Sequence, residues 1–309
     1  VLFSNAVFFL LFLFILFVFI VVIASKMRKE KQYQSFEPFI SVIVPAYNEE
    51  KNIENCIRHI KNSNYGDEKI EVIVVDDGSK DRTTEILAKS DVKVIMQEHL
   101  GKTEALNNGI KAASHDFVLV VDADTFIERN CIKDIIKPFS DKSVGACSGA
   151  VKIRDENSIK AVFQEIEYHY NNLIGSSFSR LFNDGIWYFG AVGCYRKKVL
   201  ENLGFFKKDT VTEDMDMDMD IRKHGYKIVN IGHVVACTSA QESLKGFYKQ
   251  RLRWWSGGFQ TLIKNKSMFS FKYGISSLFI FINRFFSTSY AGVSLPLMVY
   301  WINYWLPYN

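Results

Sequence analysis

Residues 7–23, VFFLLFLFILFVFIVVI, contain no charged side chain and no side chain that hydrogen-bonds. With Ala6 and Ala24 the run reaches the ~20 residues that a helix needs to cross a bilayer core. A helix that is apolar all round has no polar face to give to water, so the sequence predicts a transmembrane helix here. A cleaved signal peptide puts its positive charges ahead of a shorter apolar run. Here Lys26, Arg28, Lys29 and Lys31 follow it. The positive-inside tendency keeps those residues, and the long middle of the chain after them, on the cytoplasmic side of the cell membrane.

The second apolar region, residues 275–306, is interrupted by Asn283 and Arg284 and contains Pro296. Its last part, YAGVSLPLMVYWINYWLPYN, predicts a second spanning helix with Tyr300, Trp301, Tyr304 and Trp305 in an interfacial aromatic belt. Residues 264–281 carry Lys264, Lys266 and Lys272 among apolar neighbours, a pattern suited to the interface plane. The chain starts without Met and stops just past this region, so it is expected to be part of a longer protein.

The five cysteines, Cys56, Cys131, Cys147, Cys194 and Cys237, are scattered and form no CxxC pair, which fits reduced thiols in a cytosolic domain. The six histidines show no HxxxH spacing. A net charge of +4, with no basic stripe interleaved with aromatics in the middle region, gives no reason to expect nucleic acid as a partner. Anionic lipid accounts for the basic residues beside the apolar ends.

From residue 39 the pattern changes. Four short β-branched runs, FISVIVPAY (39–47), KIEVIVVDDGS (69–79), VKVIMQEH (92–99) and DFVLVVDADT (116–125), alternate with helical stretches. Such alternation predicts an α/β domain, a mostly parallel sheet with helices on both faces. Ligands of such sheets gather at the carboxyl ends of the strands. Two of these strands end in acids, first Asp76 and Asp77, then Asp122 and Asp124. Packing gives no reason for charge at a strand tip, because unpaired buried charge is costly. Asp76 or Asp81 can cap the following helix. In DAD, alternate residues of an extended strand end would point both carboxylates one way, a geometry suited to a divalent ion holding a diphosphate. Other nucleotide motifs are excluded: HLGKT has Met96 where a P-loop needs Gly, and no GxGxxG follows a strand.

Residues 209–225, DTVTEDMDMDMDIRKHG, hold six carboxylates. An EF-hand needs Gly at position six and Glu at position twelve. Counting from Asp214 gives Met219 and Gly225, and counting from Asp216 gives Ile221 and Lys227, so the calcium loop fails. The residues alone leave two readings open. The period-two alternation suits an acidic strand face; the KHG stop suits a helix in which one or two acids do chemistry and the rest form a solvated side.

Seven motifs occur in order: VPAYNE (44–49), DDGS (76–79), GKTEALNNG (101–109), DAD (122–124), GAVGCYRK (190–197), TED (212–214) and QRLRW (250–254). On these residues, from about 39 to about 260, the chain resembles the membrane-integrated processive glycosyltransferases of family 2, the group of cellulose, chitin, hyaluronan and poly-N-acetylglucosamine synthases. The resemblance implies a GT-A fold, a UDP-sugar donor, Mg2+ or Mn2+, and inversion at the anomeric carbon. It implies that Asp214 is the general base and begins a helix, which makes the Met–Asp run a helix with an acidic side. Asp124 with Asp122 is implied at the metal and diphosphate. Tyr47 and Asp77 are implied at the uridine with Asp76 and Glu49 beside them, and Lys102 toward the ribose and diphosphate. Gln250 and Arg253 are implied at the pyrophosphate, and Trp254 with Glu213 at the acceptor sugar. Lys249, Arg251 and Trp255 are expected to anchor at the membrane interface.

The expected divisions are 1–38 (membrane helix and basic linker), 39–240 (catalytic domain), 241–274 (interfacial helices with QxxRW) and 275–309 (C-terminal membrane region). The expected activity is transfer of a glucose- or N-acetylglucosamine-type sugar to a growing polysaccharide that is extruded across the membrane. The alternative is addition of a single sugar to a lipid-phosphate carrier. TED and GAVGCYRK point to different sugars within the group. One span at each end is fewer than such synthases carry, which leaves a homo-oligomer as a way to complete a channel. Intact DAD and TED argue against a catalytically silent scaffold.

Overall fold

The computed structural model describes residues 2–154, 158–186, 190–241 and 243–287. Strands β1 (Ile40–Ala46), β2 (Ile70–Asp76), β3 (Lys93–Met96) and β4 (Phe117–Val121) form inside the four β-branched runs. They pair in parallel, in the spatial order β3-β2-β1-β4. Val42 and Val44 pack on one face with Ile53, Ile57 and Ile60 of helix α2 (Ile53–Lys61). Ile43, Ile73 and Val75 pack on the other with Ala105, Leu106 and Ile110 of helix α4 (Lys102–Ala112). Burial on both faces is why these strands read as continuous apolar runs rather than alternating ones. Between β2 and β3 lies the short helix α3 (Thr83–Leu87).

The other half of the sheet corrects the expectation of mostly parallel pairing. Strands β5 (Thr125–Ile127), β6 (Val144–Ile153), β7 (Val192–Arg196) and β8 (Lys227–Thr238) complete an eight-stranded sheet in the order β3-β2-β1-β4-β7-β6-β8-β5. β7 is antiparallel to both β4 and β6, β5 is antiparallel to β8, and β6 is parallel to β8, so the sheet is mixed. The physical reason is that β7, far along the chain, inserts between β4 and β6. That pairing is set by tertiary packing and leaves no trace in local periodicity. Helices α5 (Cys131–Ile136), α6 (Ile159–Phe182) and α7 (Lys197–Asn202) fill the connections. The Ser158 hydroxyl caps α6 by accepting from Ala161 N–H at 3.2 Å.

Helix α8 (Glu213–Lys223) settles the form of the Met–Asp run but not its surroundings. It is a helix, yet Asp216, Asp218 and Asp220 are only 1%, 3% and 6% exposed. The expectation of a solvated acidic side is therefore wrong. Met217 packs into the core that holds α4, whereas Met219 packs with Ile174 and Phe178 of α6, so α8 is enclosed on several sides. Each of the three acids is paired instead: Asp216 with Lys264, Asp218 with Arg222, and Asp220 with Lys207.

The N-terminal apolar run is helix α1 (Leu2–Met27). Among the described residues it is the one helix long and apolar enough to cross a membrane by length and composition, with mean hydropathy 2.9 over Phe9–Met27. Ser25 Oγ donates to Ser177 Oγ of α6 at 3.1 Å, and Arg28 bonds Leu181 O, which seats the end of α1 on the domain. Helix α9 (Leu244–Lys264) carries QRLRW. A further helical segment spans 274–287, and its Phe279 and Ile280 are buried with Val21 and Phe178. Within residues 264–281, Met268, Phe279 and Ile280 are buried in this cluster, while Phe269 and Phe271 are exposed. The expected second spanning helix and its aromatic belt lie beyond residue 287, outside the described residues.

Candidate active site

DAD forms the turn that links β4 to β5, not an extended strand end. Asp122 N–H donates to Ala191 O at 3.0 Å, and Thr125 N–H donates to Asp122 O at 2.9 Å. The turn still brings Asp122 and Asp124 together. Burial first, then the neighbouring charges of Asp122 and Glu49, push the Asp124 carboxyl up to about 6. Glu49 is also held above the usual carboxylate range, by burial. Lys102, at the start of α4, stands 2.6 Å from Asp122 Oδ1 and 3.9 Å from Glu213. Burial works against its charge, but Asp122 and Glu213 outweigh it and raise the ammonium above its ordinary value.

Asp214 stands in the first turn of α8, where the helix dipole favours a carboxylate. Its Oδ1 accepts from Met215 N–H at 2.8 Å. Burial and the adjacent Glu213 raise it to about 6, against the pull of Lys102. Gly190 approaches so closely that a Cβ there would overlap Asp214 Oδ2. The first glycine of GAVG is therefore required by the space the carboxylate occupies.

Lys102, Asp122, Asp124, Glu213, Asp214, Gln250, Arg253 and Trp254 all line one cavity of about 800 Å³, which runs on past Trp255, Asn283 and Arg284 to Phe14 and Ile15 of α1. Trp254 is half-buried, its ring 6.3 Å from that of Tyr168 and under the Arg251 guanidinium at 4.4 Å. The remaining expected residues do not reach this cavity. Asp76 accepts from Ser79 N–H and Thr84 Oγ1. Asp77 accepts from Gln97 Nε2, Leu100 N–H and Gly101 N–H, at 2.6, 2.8 and 2.9 Å. Both hold the loops that follow β2 and β3. Tyr47 stacks on His99 with ring centroids 4.0 Å apart.

Two expected membrane anchors have partners within the protein. Arg251 pairs with Glu167 of α6 and donates to Gln250 Oε1 at 2.6 Å, so it orients a cavity residue. Trp255 lines the cavity, with the Arg284 guanidinium 5.1 Å from its ring. Sequence reasoning also missed Tyr168 and Glu167, which carry no motif. It quoted Gly190 within a motif without giving it a role.

Among the described residues no group of three or more His, Cys, Asp or Glu side chains is arranged to hold a metal. A hard divalent ion at a nucleotide needs fewer, because one or two carboxylates suffice when the diphosphate supplies oxygens. Asp122 Oδ1 is buried with no hydrogen-bond partner, its contact with Lys102 lacking hydrogen-bond geometry. This orphaned oxygen beside Asp124 fits such an ion.

Residues 41–204 match the family model described as glycosyl transferase family 2. The chain belongs to this family. The transferase is 32% identical over 234 residues to a poly-beta-1,6-N-acetyl-D-glucosamine synthase of Staphylococcus aureus, an alignment that takes in 73% of this chain and 56% of the relative. It thus spans about half the length of the curated relatives it matches. In fold it resembles the mannosyltransferase PcManGT from Pyrobaculum calidifontis, solved with GDP-Man and Mn2+, with a TM-score of 0.64 at 24% identity over 80% of this chain and 71% of that one. It also resembles S. aureus TarS 1-349 solved with UDP-GlcNAc, with a TM-score of 0.53 at 20% identity over 72% and 66%. The family 2 enzyme therefore has a GT-A-like α/β fold on a mixed sheet.

Proposed function

We propose that this transferase moves a sugar of the N-acetylglucosamine or glucose type from a UDP donor to the end of a growing polysaccharide, with inversion. The observation that carries the reading is the single cavity that joins Asp122, Asp124 and Asp214 to Trp254 and then continues to α1. The seven ordered motifs and the identity to poly-beta-1,6-N-acetyl-D-glucosamine synthases support the donor and the polymer. A continuous cavity between the reacting end and an apolar helix suits a chain that lengthens and is drawn away, and on this reading the natural protein is membrane-integrated and processive.

Asp214 takes the proton from the acceptor hydroxyl. A carboxyl raised to about 6 is a stronger base than an ordinary one yet is mostly ionised at neutral pH. Attack by that hydroxyl on the anomeric carbon breaks the bond to UDP in one displacement, so the configuration inverts. Lys102 and Arg253, in the cavity wall, face the negative charge that develops on the leaving diphosphate. A divalent ion, Mg2+ or Mn2+, would be held by Asp122 and Asp124 and would add charge stabilisation at the diphosphate. The Trp254 ring gives the acceptor's terminal sugar a face to lie on.

The apolar end of the cavity, lined by Phe14, Ile15 and Phe286, favours the second reading, in which the acceptor is a lipid-phosphate carrier that receives one sugar. A panel of UDP-sugars with Mg2+ or Mn2+, read by UDP release and product mass, tests both. Polymer from UDP-N-acetylglucosamine or UDP-glucose bears out the first reading. A product that stops at one sugar on lipid replaces it with the second.

A further inference from the structure

Helix α9 holds two kinds of residue on one stripe. Gln250, Arg253 and Trp254 of its first half line the cavity. Gly257, Gln260, Thr261 and Lys264 of its second half follow at helical spacing and meet the segment that carries the general base. Lys264 Nζ lies between Asp209 Oδ2 at 2.7 Å and Asp216 Oδ2 at 2.6 Å, one carboxylate on each side of Thr212, Glu213 and Asp214. Gln260 Oε1 accepts from Val211 N–H at 3.2 Å, and the Thr212 and Thr261 hydroxyls are 3.3 Å apart. A Cβ on Gly257 would overlap the Thr212 side chain, so the helix and the TED segment touch at backbone range.

We propose that Lys264 is a positioning residue that fixes the distance between the acceptor platform and the base. One rigid helix carries the platform at one end and grips the base segment at the other. The two ion pairs of Lys264 straddle that segment and set its register along α9. Asp216 is 1% exposed, so its pairing is not exchanged with water. Loss of the bridge lets Asp214 and the acceptor hydroxyl drift apart while Asp122 and Asp124 in the turn after β4, Lys102 on α4, and Gln250 and Arg253 in the first half of α9 keep their places. Water, which needs no platform, then competes better for the sugar. Proximity of this kind is steep, since a shift on the order of 1 Å far from the reacting atoms can cost about 100-fold.

The inference rests on the proposed roles of Asp214 and Trp254, and the test separates the two. In Lys264→Met the alkyl stem remains and the charge is gone. The expected result is a fall in kcat for transfer of about tenfold or more, an unchanged KM for the UDP-sugar, and a larger share of UDP released by hydrolysis. Lys264→Arg, which can still reach both carboxylates, restores most of the transfer. Asp209→Asn removes the more exposed half of the bridge and gives a smaller change in the same direction, which keeps the test valid if Lys264→Met folds poorly. Wild-type partition between transfer and hydrolysis in both Lys264→Met and Asp209→Asn would overturn the clamp, as would a donor KM that rises in step with the loss of kcat. A wild type that transfers no sugar, or an Asp214→Asn variant that transfers normally, would overturn the functional reading and the clamp with it.

Discussion

The enzyme carries two groups of strand-end carboxylates that look alike in sequence and are treated in opposite ways by the fold. Asp76 and Asp77, after β2, are buried and supplied with donors by the loops around them: backbone N–H groups, a threonine hydroxyl and a glutamine amide. Asp122 and Asp124, after β4, together with Asp214, are half-buried near one another with few hydrogen-bond donors, and Asp124 and Asp214 are raised to about 6. The first group spends its hydrogen-bonding capacity on holding the fold. The second shares one cation, Lys102, among several carboxylates that raise one another, and so leaves room for a further positive charge.

The largest break in this comparison is at the second group. Asp214→Asn should lower transfer by about 10²- to 10⁴-fold, the contribution of a general base, and leave UDP-sugar binding intact. Asp124→Asn should abolish the metal-dependent part of UDP affinity, measured by calorimetry with and without chelator. Wild-type affinity that ignores the chelator would remove the metal from the site.

At the first group the damage should fall on stability. Asp77→Ala orphans the donors of Gln97, Leu100 and Gly101 and should cost about 2–4 kcal/mol in a denaturant titration, an effect Asp124→Asn should not show. If both variants are equally destabilised, the division between the groups fails.

Trp254→Ala asks whether the under-supplied carboxylates face an acceptor sugar. By analogy with aromatic platforms for bases it should forfeit about 1–3 kcal/mol of stacking, roughly a ten- to hundredfold loss of acceptor retention, with UDP affinity hardly changed. Because Trp255 also lines the cavity, Trp255→Ala should shorten the product as well, where a membrane anchor would not. Product length by mass spectrometry reads both.

The smallest effect is on pH and has an unusual sign. Asp124, Asp214 and Asp218 have an ordinary value of 3.8 and stand at about 6 in the fold, so the folded protein binds more protons than the unfolded chain between those values. The metal-free enzyme should therefore gain thermal stability as pH falls from about 6 toward about 4, where most proteins lose it. Groups held below the usual range, such as Asp141 and Glu71, work the other way as the pH nears their ordinary values of 3.8 and 4.5, so the gain is clearest above about 5. Asp214→Asn should flatten the rise.

How much of this was legible in the sequence depended on how far the deciding partner lies along the chain. The parallel half of the sheet follows from β-branched runs and the helices next to them, and the ordered motifs carried Asp122, Asp124 and Asp214 into one site. The antiparallel half was not readable, because the partner of Val121 is Val192. The burial of α8 was misread for the same reason. Arg222 is one turn from Asp218 and was within reach of an i, i+4 reading, but the partner of Asp216 is Lys264, 48 residues away. Asp76 and Asp77 were placed at the nucleotide by their motif, while the donors that occupy them come mainly from the loop after β3.

Helix α8 has five carboxylates, and cations satisfy three of them one by one: Lys264, Arg222 and Lys207 at Asp216, Asp218 and Asp220. Only Glu213 and Asp214 are left to shape the field where sugar is transferred. The counter-ions are built in, and the pair at Asp218 is sealed from solvent, where dissolved salt screens little, while Lys264 beside the buried Asp216 stays partly exposed. A run of acid that would repel a nucleotide diphosphate if it were bare is partly neutralised from within, and on the proposed reading Lys102 and Arg253 in the cavity wall are the cations an anionic donor would meet.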